Sequence, residues 1–167
     1  VKLDLLALGF GLKIGLAPLH IWMPLAYTAA PIPAAAVLSG AAVKAGVIGL
    51  IRFMPFDVGS VNVGTCLAMV GIVSTFYGVA VGVTRANPKT ILAYSSISQM
   101  GVIATLIGIG LATANAGVAI AAAFYGAHHV LVKGGLFLAA GIGVSDRRNG
   151  WLVFVPAAVL AFALAGL

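Results

Sequence analysis

The chain has 167 residues, of which 62% are hydrophobic and only 7% charged, with a mean hydropathy of +1.19; a soluble core of this length could not hide that much apolar side chain, so the sequence reads as an integral membrane protein. The formal net charge of +6 would suggest nucleic acid in a soluble protein, but Lys2, Arg52, Arg85, Lys89, Arg147 and Arg148 stand at the ends of apolar runs, where basic residues set membrane topology. Composition therefore argues against a nucleic-acid partner and for a lipid bilayer. The single cysteine, Cys66, allows no internal disulfide and no metal cluster, and it reads as a small residue for helix packing.

The apolar runs are about 20 residues long and separated by short polar breaks, whereas a membrane barrel would show ~10-residue alternating segments. Helices are expected throughout. The first segment, about Leu3 to Met23, carries Lys13 near its middle and Pro18 beyond it, which predicts a helix broken around Leu16 to His20. His20 reads either as a polar interfacial contact or as a point where protons come in. A break is expected from Pro24 to Pro33, then a second span from Ala34 to about Met54 with Lys44 at its centre. Ten residues to either end is roughly 15 Å of rise, more than twice the ~6 Å that a lysine stem can snorkel.

A third span, about Val58 to Val83, holds only neutral polar residues such as Ser74, Thr75 and Tyr77 and reads as packing. The basic loop Thr84 to Lys89 leads to a fourth span from Thr90 to about Leu111. Its cluster Tyr94, Ser95, Ser96, Ser98 and Gln99 fits either interhelical hydrogen bonding or the lining of a hydrated path, and Gly101, Gly108 and Gly110 fit close helix approach. After a break at Ala112 to Ala116, the fifth and longest span, about Gly117 to Val144, contains His128, His129 and Lys133. Asp146, Arg147 and Arg148 separate it from a sixth apolar segment that starts at Trp151 and is interrupted early by Pro156. The expected fold is all-α: one membrane domain over residues 1–167, a polytopic bundle of about six spans. Alternating spans put Arg85, Lys89, Arg147 and Arg148 on the face expected to be cytoplasmic, against Lys2 and Arg52 on the other.

The chemistry sits in the buried basic residues. Asp4, Asp57 and Asp146 all fall at or near segment ends, and the chain has no glutamate, so Lys13, Lys44 and Lys133 have no intramembrane carboxylate in this sequence. An ammonium in that position is a candidate proton relay. His129 and Lys133 are four residues apart and share a helix face. His128 points about 100° away from His129 and is the lesser candidate. Histidine can take a proton on one ring nitrogen and release it from the other. The candidate relay is therefore Lys13, Lys44, His129 and Lys133, with His128 as an additional member. No cofactor, no metal site and no redox chemistry are expected in this chain, since metal-ligand spacing, a phosphate loop and a nucleophile with an orienting acid are all missing from the sequence.

Four ordered stretches carry a family resemblance: Gly11-Leu-Lys-Ile-Gly-Leu-Ala-Pro-Leu-His-Ile-Trp-Met-Pro24; Pro31-Ile-Pro with Leu38-Ser-Gly-Ala-Ala-Val-Lys-Ala-Gly46; Lys89-Thr-Ile-Leu-Ala-Tyr-Ser-Ser-Ile-Ser-Gln-Met-Gly101; and His129-Val-Leu-Val-Lys-Gly-Gly-Leu-Phe-Leu138. Together they resemble the proton-conducting antiporter-like subunits of respiratory NADH:quinone oxidoreductase (complex I), membrane-bound hydrogenases and multi-subunit sodium/proton antiporters. The resemblance implies an inverted-repeat fold with broken helices, of which this chain is an internal fragment. It also implies partners in the form of other membrane subunits, protons or alternatively sodium as the transported ion, and a bacterial inner membrane. By motif, Lys13 resembles the lysine of the first broken helix, Lys44 that of the following helix, and His129 with Lys133 the link between half-channels. Leu25-Ala-Tyr27 and Asn87-Pro-Lys-Thr90 depart from the complex I pattern and lean toward the hydrogenase and cation-antiporter branches. A reading from another class is a non-transporting scaffold whose buried basic groups hold partner helices together.

Overall fold

The computed structural model describes residues 2–145 and 158–159. Asp146, Arg147, Arg148, Trp151 and Pro156, which the sequence reading placed in the last loop and last segment, lie outside the described residues. The described chain is helical: α1 (Lys2–Ile14), α2 (Trp22–Ala29), α3 (Ile32–Val37), a π turn (Leu38–Ala42), α4 (Val43–Phe53), α5 (Val61–Gly82), α6 (Pro88–Ala112) and α7 (Ala116–Ser145). Four of its rods are long and apolar enough to cross a membrane: Ile32–Phe53, Val61–Gly82, Pro88–Ala112 and Ala116–Gly141. The alternating loops fall at two ends. Lys89 Nζ donates to the carbonyl of Ala30 at 2.7 Å, joining the α2–α3 and α5–α6 connections. At the other end the Ser60 N–H donates to Leu111 O at 2.9 Å.

The expected break near Pro18 is present, between α1 and α2. Gly15, at φ +75°, ends α1 in the left-handed conformation that favours glycine, with Leu16 N–H on Gly11 O at 3.0 Å and Gly15 N–H on Leu12 O at 3.2 Å. These bonds form a Schellman cap, which satisfies carbonyls that the helix end would otherwise leave open. The Trp22 Nε1–H also donates to Leu12 O at 2.9 Å, and the Ala17 N–H donates to Ser74 Oγ of α5 at 2.9 Å. Non-helical backbone at membrane depth is tolerable when protein groups satisfy it in this way.

Two boundaries differ from the sequence reading. The break expected from Pro24 to Pro33 shrinks to Ala30 and Pro31, because Pro24 sits in the first turn of α2, where its missing N–H has no helical acceptor to lose. The fourth span begins at Pro88 rather than Thr90: Pro88 takes the first helical position, and Asn87 Oδ1 caps the helix by accepting from Lys89 N–H at 2.9 Å.

The tightest packing is α5 against α6. A Cβ built on Gly64 would lie 2.6 Å from Gly108 O, and one on Gly71 2.7 Å from Gly101 O. In return, a Cβ on Gly108 would meet Gly64 O, and one on Gly101 would meet Gly71 O. Glycines at these positions let two backbones touch, the device helices use to associate in lipid, where burying apolar surface gives no drive. The close approach expected of Gly101 and Gly108 is thus present, while Gly110 faces Val118 and Asn115 at the turn into α7. Cys66 does not pack between helices as expected. It is exposed, because Gly64, Leu67, Gly71 and Ser74 form the buried stripe of α5 and residue 66 falls about 200° from Gly64.

Candidate functional site

Below the helix break, α4, α6 and α7 converge on a seam of buried polar groups. Helix α7 contacts α3, the π turn, α4 and α6, and it presents His129 (1% exposed) and Lys133 (0% exposed) inward. Lys44 enters from α4 and is 6% exposed. Because α7 packs on both α4 and the π turn, these three buried candidates lie on elements in direct contact. The described buried polar residues include no carboxylate; Asp4 and Asp57 lie exposed toward helix ends.

The π turn explains how Lys44 is held. Here Val43 N–H bonds five residues back to Leu38 O, instead of four back to Ser39. Ser39 O is thereby released from its usual helical partner, and Lys44 Nζ donates to it at 2.7 Å. Single π turns inside α-helices are recurrent at functional sites, and this one frees a carbonyl for a buried lysine. Lys133 Nζ donates to Leu92 O of α6 at 3.1 Å. Each ammonium thus rests on a backbone carbonyl. A charge-assisted bond of that kind contributes about 1.5–3 kcal/mol, against a desolvation cost of several kcal/mol per buried ion.

Both ring nitrogens of His129 are buried and meet no acceptor or donor among the described residues. Tyr27 and Ser39 face one another from α2 and the π turn, although the Tyr27 hydroxyl does not reach hydrogen-bond geometry. The cluster singled out on α6 divides in two. Ser96 faces the seam and meets Ser39, Oγ to Oγ, at 3.2 Å, whereas the Ser98 carbonyl accepts from Thr75 Oγ1 of α5 at 3.3 Å on the packing side. Gln99 Oε1 accepts from the Tyr125 hydroxyl of α7.

The remaining candidates lie apart. Lys13 is on the exposed face of α1, with its stem against Gly46, rather than buried like Lys44: α1 packs mainly on α4 at the edge of the bundle, and its inward face is Gly11 and Ile14. His128 is exposed, as its helical angle from His129 requires. His20 is buried at the break and makes a polar contact, Nε2 to the Tyr77 hydroxyl at 3.2 Å. It borders an open cleft of about 570 Å³ with Tyr77 and Tyr94. Ser39 and Ser96 were not candidates for the relay. Their signal was the neutral polar residue five positions before Lys44 and the one within the α6 cluster.

A broken helix with an internally satisfied backbone, four membrane-length rods and buried ammoniums on backbone carbonyls define a class: polytopic helical membrane proteins with a cationic seam between spans. The chain belongs to the family described as NADH:quinone oxidoreductase/Mrp antiporter, TM, whose model matches residues 2–155. It is 35% identical over 180 residues to a Na(+)/H(+) antiporter subunit of Alkalihalophilus pseudofirmus, covering 98% of this chain and 22% of that protein. With the Hydrogenase-4 component F homolog of Methylacidiphilum infernorum it shares 34% identity over 145 residues, 85% of this chain and 30% of the relative. Hydrogenase-4 component B of Escherichia coli is 32% identical over 148 residues, 82% of this chain and 22% of the relative. The chain therefore spans less than a third of the length of these relatives.

Proposed function

We propose that this chain is the proton-carrying part of an antiporter-like subunit that moves protons across a bacterial cytoplasmic membrane. It works within a multi-subunit complex of the hydrogenase or NADH:quinone oxidoreductase type, and the redox chemistry is done by other subunits. The observation that carries this reading is the burial of Lys44 and Lys133 on backbone carbonyls, with no buried carboxylate among the described residues. Ammoniums held that way are matched by dipoles rather than by a fixed counter-charge, so a proton can leave without stranding an anion. Lys44, His129 and Lys133 form the relay core, and Lys13, over Gly46, is its outer member from the α1 side. His128 has no part in the core.

The test uses the full-length subunit in its assembled complex, in inverted membrane vesicles with a pH-sensitive dye. Lys44→Ala, His129→Ala and Lys133→Ala should each lower proton movement on the order of tenfold or more, with assembly retained. Normal transport in all three would sink the reading, and loss of assembly in all three would favour the scaffold instead. A second reading, sodium/proton antiport, is favoured by the names of the antiporter relatives. A strict requirement for sodium in the same vesicles would select it.

A further inference from the structure

Two buried hydroxyls lie between the lysines and have no role in the relay core. Ser39 is 0% exposed in the π turn and Ser96 1% exposed on α6, with their Oγ atoms 3.2 Å apart. The carbonyl of Ser39 itself accepts from Lys44 Nζ. The Ser96 hydroxyl donates to Leu92 O at 3.0 Å, the same carbonyl that accepts from Lys133 Nζ. The two lysine anchors are therefore joined through Ser39 and Ser96: Lys44 bonds the Ser39 carbonyl, the Ser39 hydroxyl meets that of Ser96, and Ser96 shares the Leu92 carbonyl with Lys133.

The Leu92 carbonyl is oversubscribed. As a helix carbonyl it also faces the Ser96 N–H four residues on, so three donors address an oxygen with two lone pairs. The ammonium of Lys133 and the hydroxyl of Ser96 compete for it. A charged Lys133 favours its own bond and turns the Ser96 O–H toward Ser39; a neutral Lys133 competes more weakly and lets the Ser96 O–H return to Leu92. The reversal at Ser96 changes whether Ser39 Oγ accepts or donates, directly beside the carbonyl that holds Lys44.

We propose that the Ser39–Ser96 hydroxyl pair is a positioning switch that couples Lys44 to Lys133, its hydrogen-bond direction following the charge of Lys133. No bond other than hydrogen bonds is made or broken in it. The inference rests on the relay reading above and deepens it.

The test compares Ser96→Thr with Ser96→Val in the full-length assembled complex. The two side chains have the same shape and differ by a hydroxyl in place of a methyl, so overpacking is common to both. Transport per assembled complex should be at least about fivefold higher for threonine than for valine, the ratio expected for one net hydrogen bond. Ser39→Ala and Ser96→Ala should each lower transport, and the double variant should be no worse than the poorer single, since either change cuts the same link. Equal rates for threonine and valine, or alanine effects that multiply, overturn the proposal. Lys44→Ala measured in parallel separates the levels. If it blocks transport while the serine criteria fail, the hydroxyl switch alone falls; if it transports normally, the switch, which acts through Lys44, falls, and if His129→Ala and Lys133→Ala transport normally as well the relay reading falls with it.

Discussion

Helix α6 has two faces that are built on opposite principles. Toward α5 it is dry and backbone-to-backbone, with Gly101 and Gly108 against the carbonyls of Gly71 and Gly64. Toward α4 and α7 it offers Ser96 and the Leu92 carbonyl to buried serine and lysine side chains. The first face gains mainly from van der Waals contact between backbones, with the Thr75 and Thr105 hydroxyls on carbonyls across it, and the second holds ammonium groups with donors to spare. One helix thus serves as a fixed wall on one side and as an adjustable one on the other.

That contrast can be broken most severely on the dry side. Gly108→Leu would drive a side chain into the Gly64 carbonyl and the Ala68 backbone, and neither can move aside without separating the helices. We expect a loss of several kcal/mol, as for overpacking with backbone shift, read as little or no assembled complex in mild detergent. The seam should respond in the opposite way, with assembly kept and transport lost. Within it the contrast sharpens between two lysines: Lys13→Ala, on an exposed face, should reduce transport less than Lys44→Ala does, measured per assembled complex. Equal losses would mean that Lys13 belongs to the core. The smallest expected effect is Trp22→Phe, which removes one donor from Leu12 O at the helix break. It should cost about 1 kcal/mol, visible as a slight fall in the thermal midpoint of the purified complex with transport unchanged.

The helix break was legible because Pro18 cannot continue a helix in mid-segment, and the spans were legible because length and hydropathy leave lipid few other solutions. Pro24 misled, since a proline reads as a breaker unless the first turn of a new helix is known to start at Trp22. Lys13 and Lys44 look alike in one dimension, each a lysine within an apolar run. What separates them is which neighbour each helix packs against, a property of the bundle and not of the local sequence. The π turn gives no compositional signal in Leu38-Ser-Gly-Ala-Ala42, yet it selects the carbonyl that holds Lys44. His129 and Lys133 could be paired from spacing alone, whereas the Ser39–Ser96 contact spans 57 positions and needed the packing of α6 on the π turn.

The π turn also amounts to one residue more than a straight α-helix would use between Val37 and Val43. If the same residues were wound as a regular α-helix, everything beyond the turn would rotate by about 100° and advance by about 1.5 Å. Lys44 would swing off the seam while the Pro31 end stayed in place. The position of this lysine is therefore set by the width of a single turn, so closing that turn at constant length would displace the charge as thoroughly as replacing the side chain.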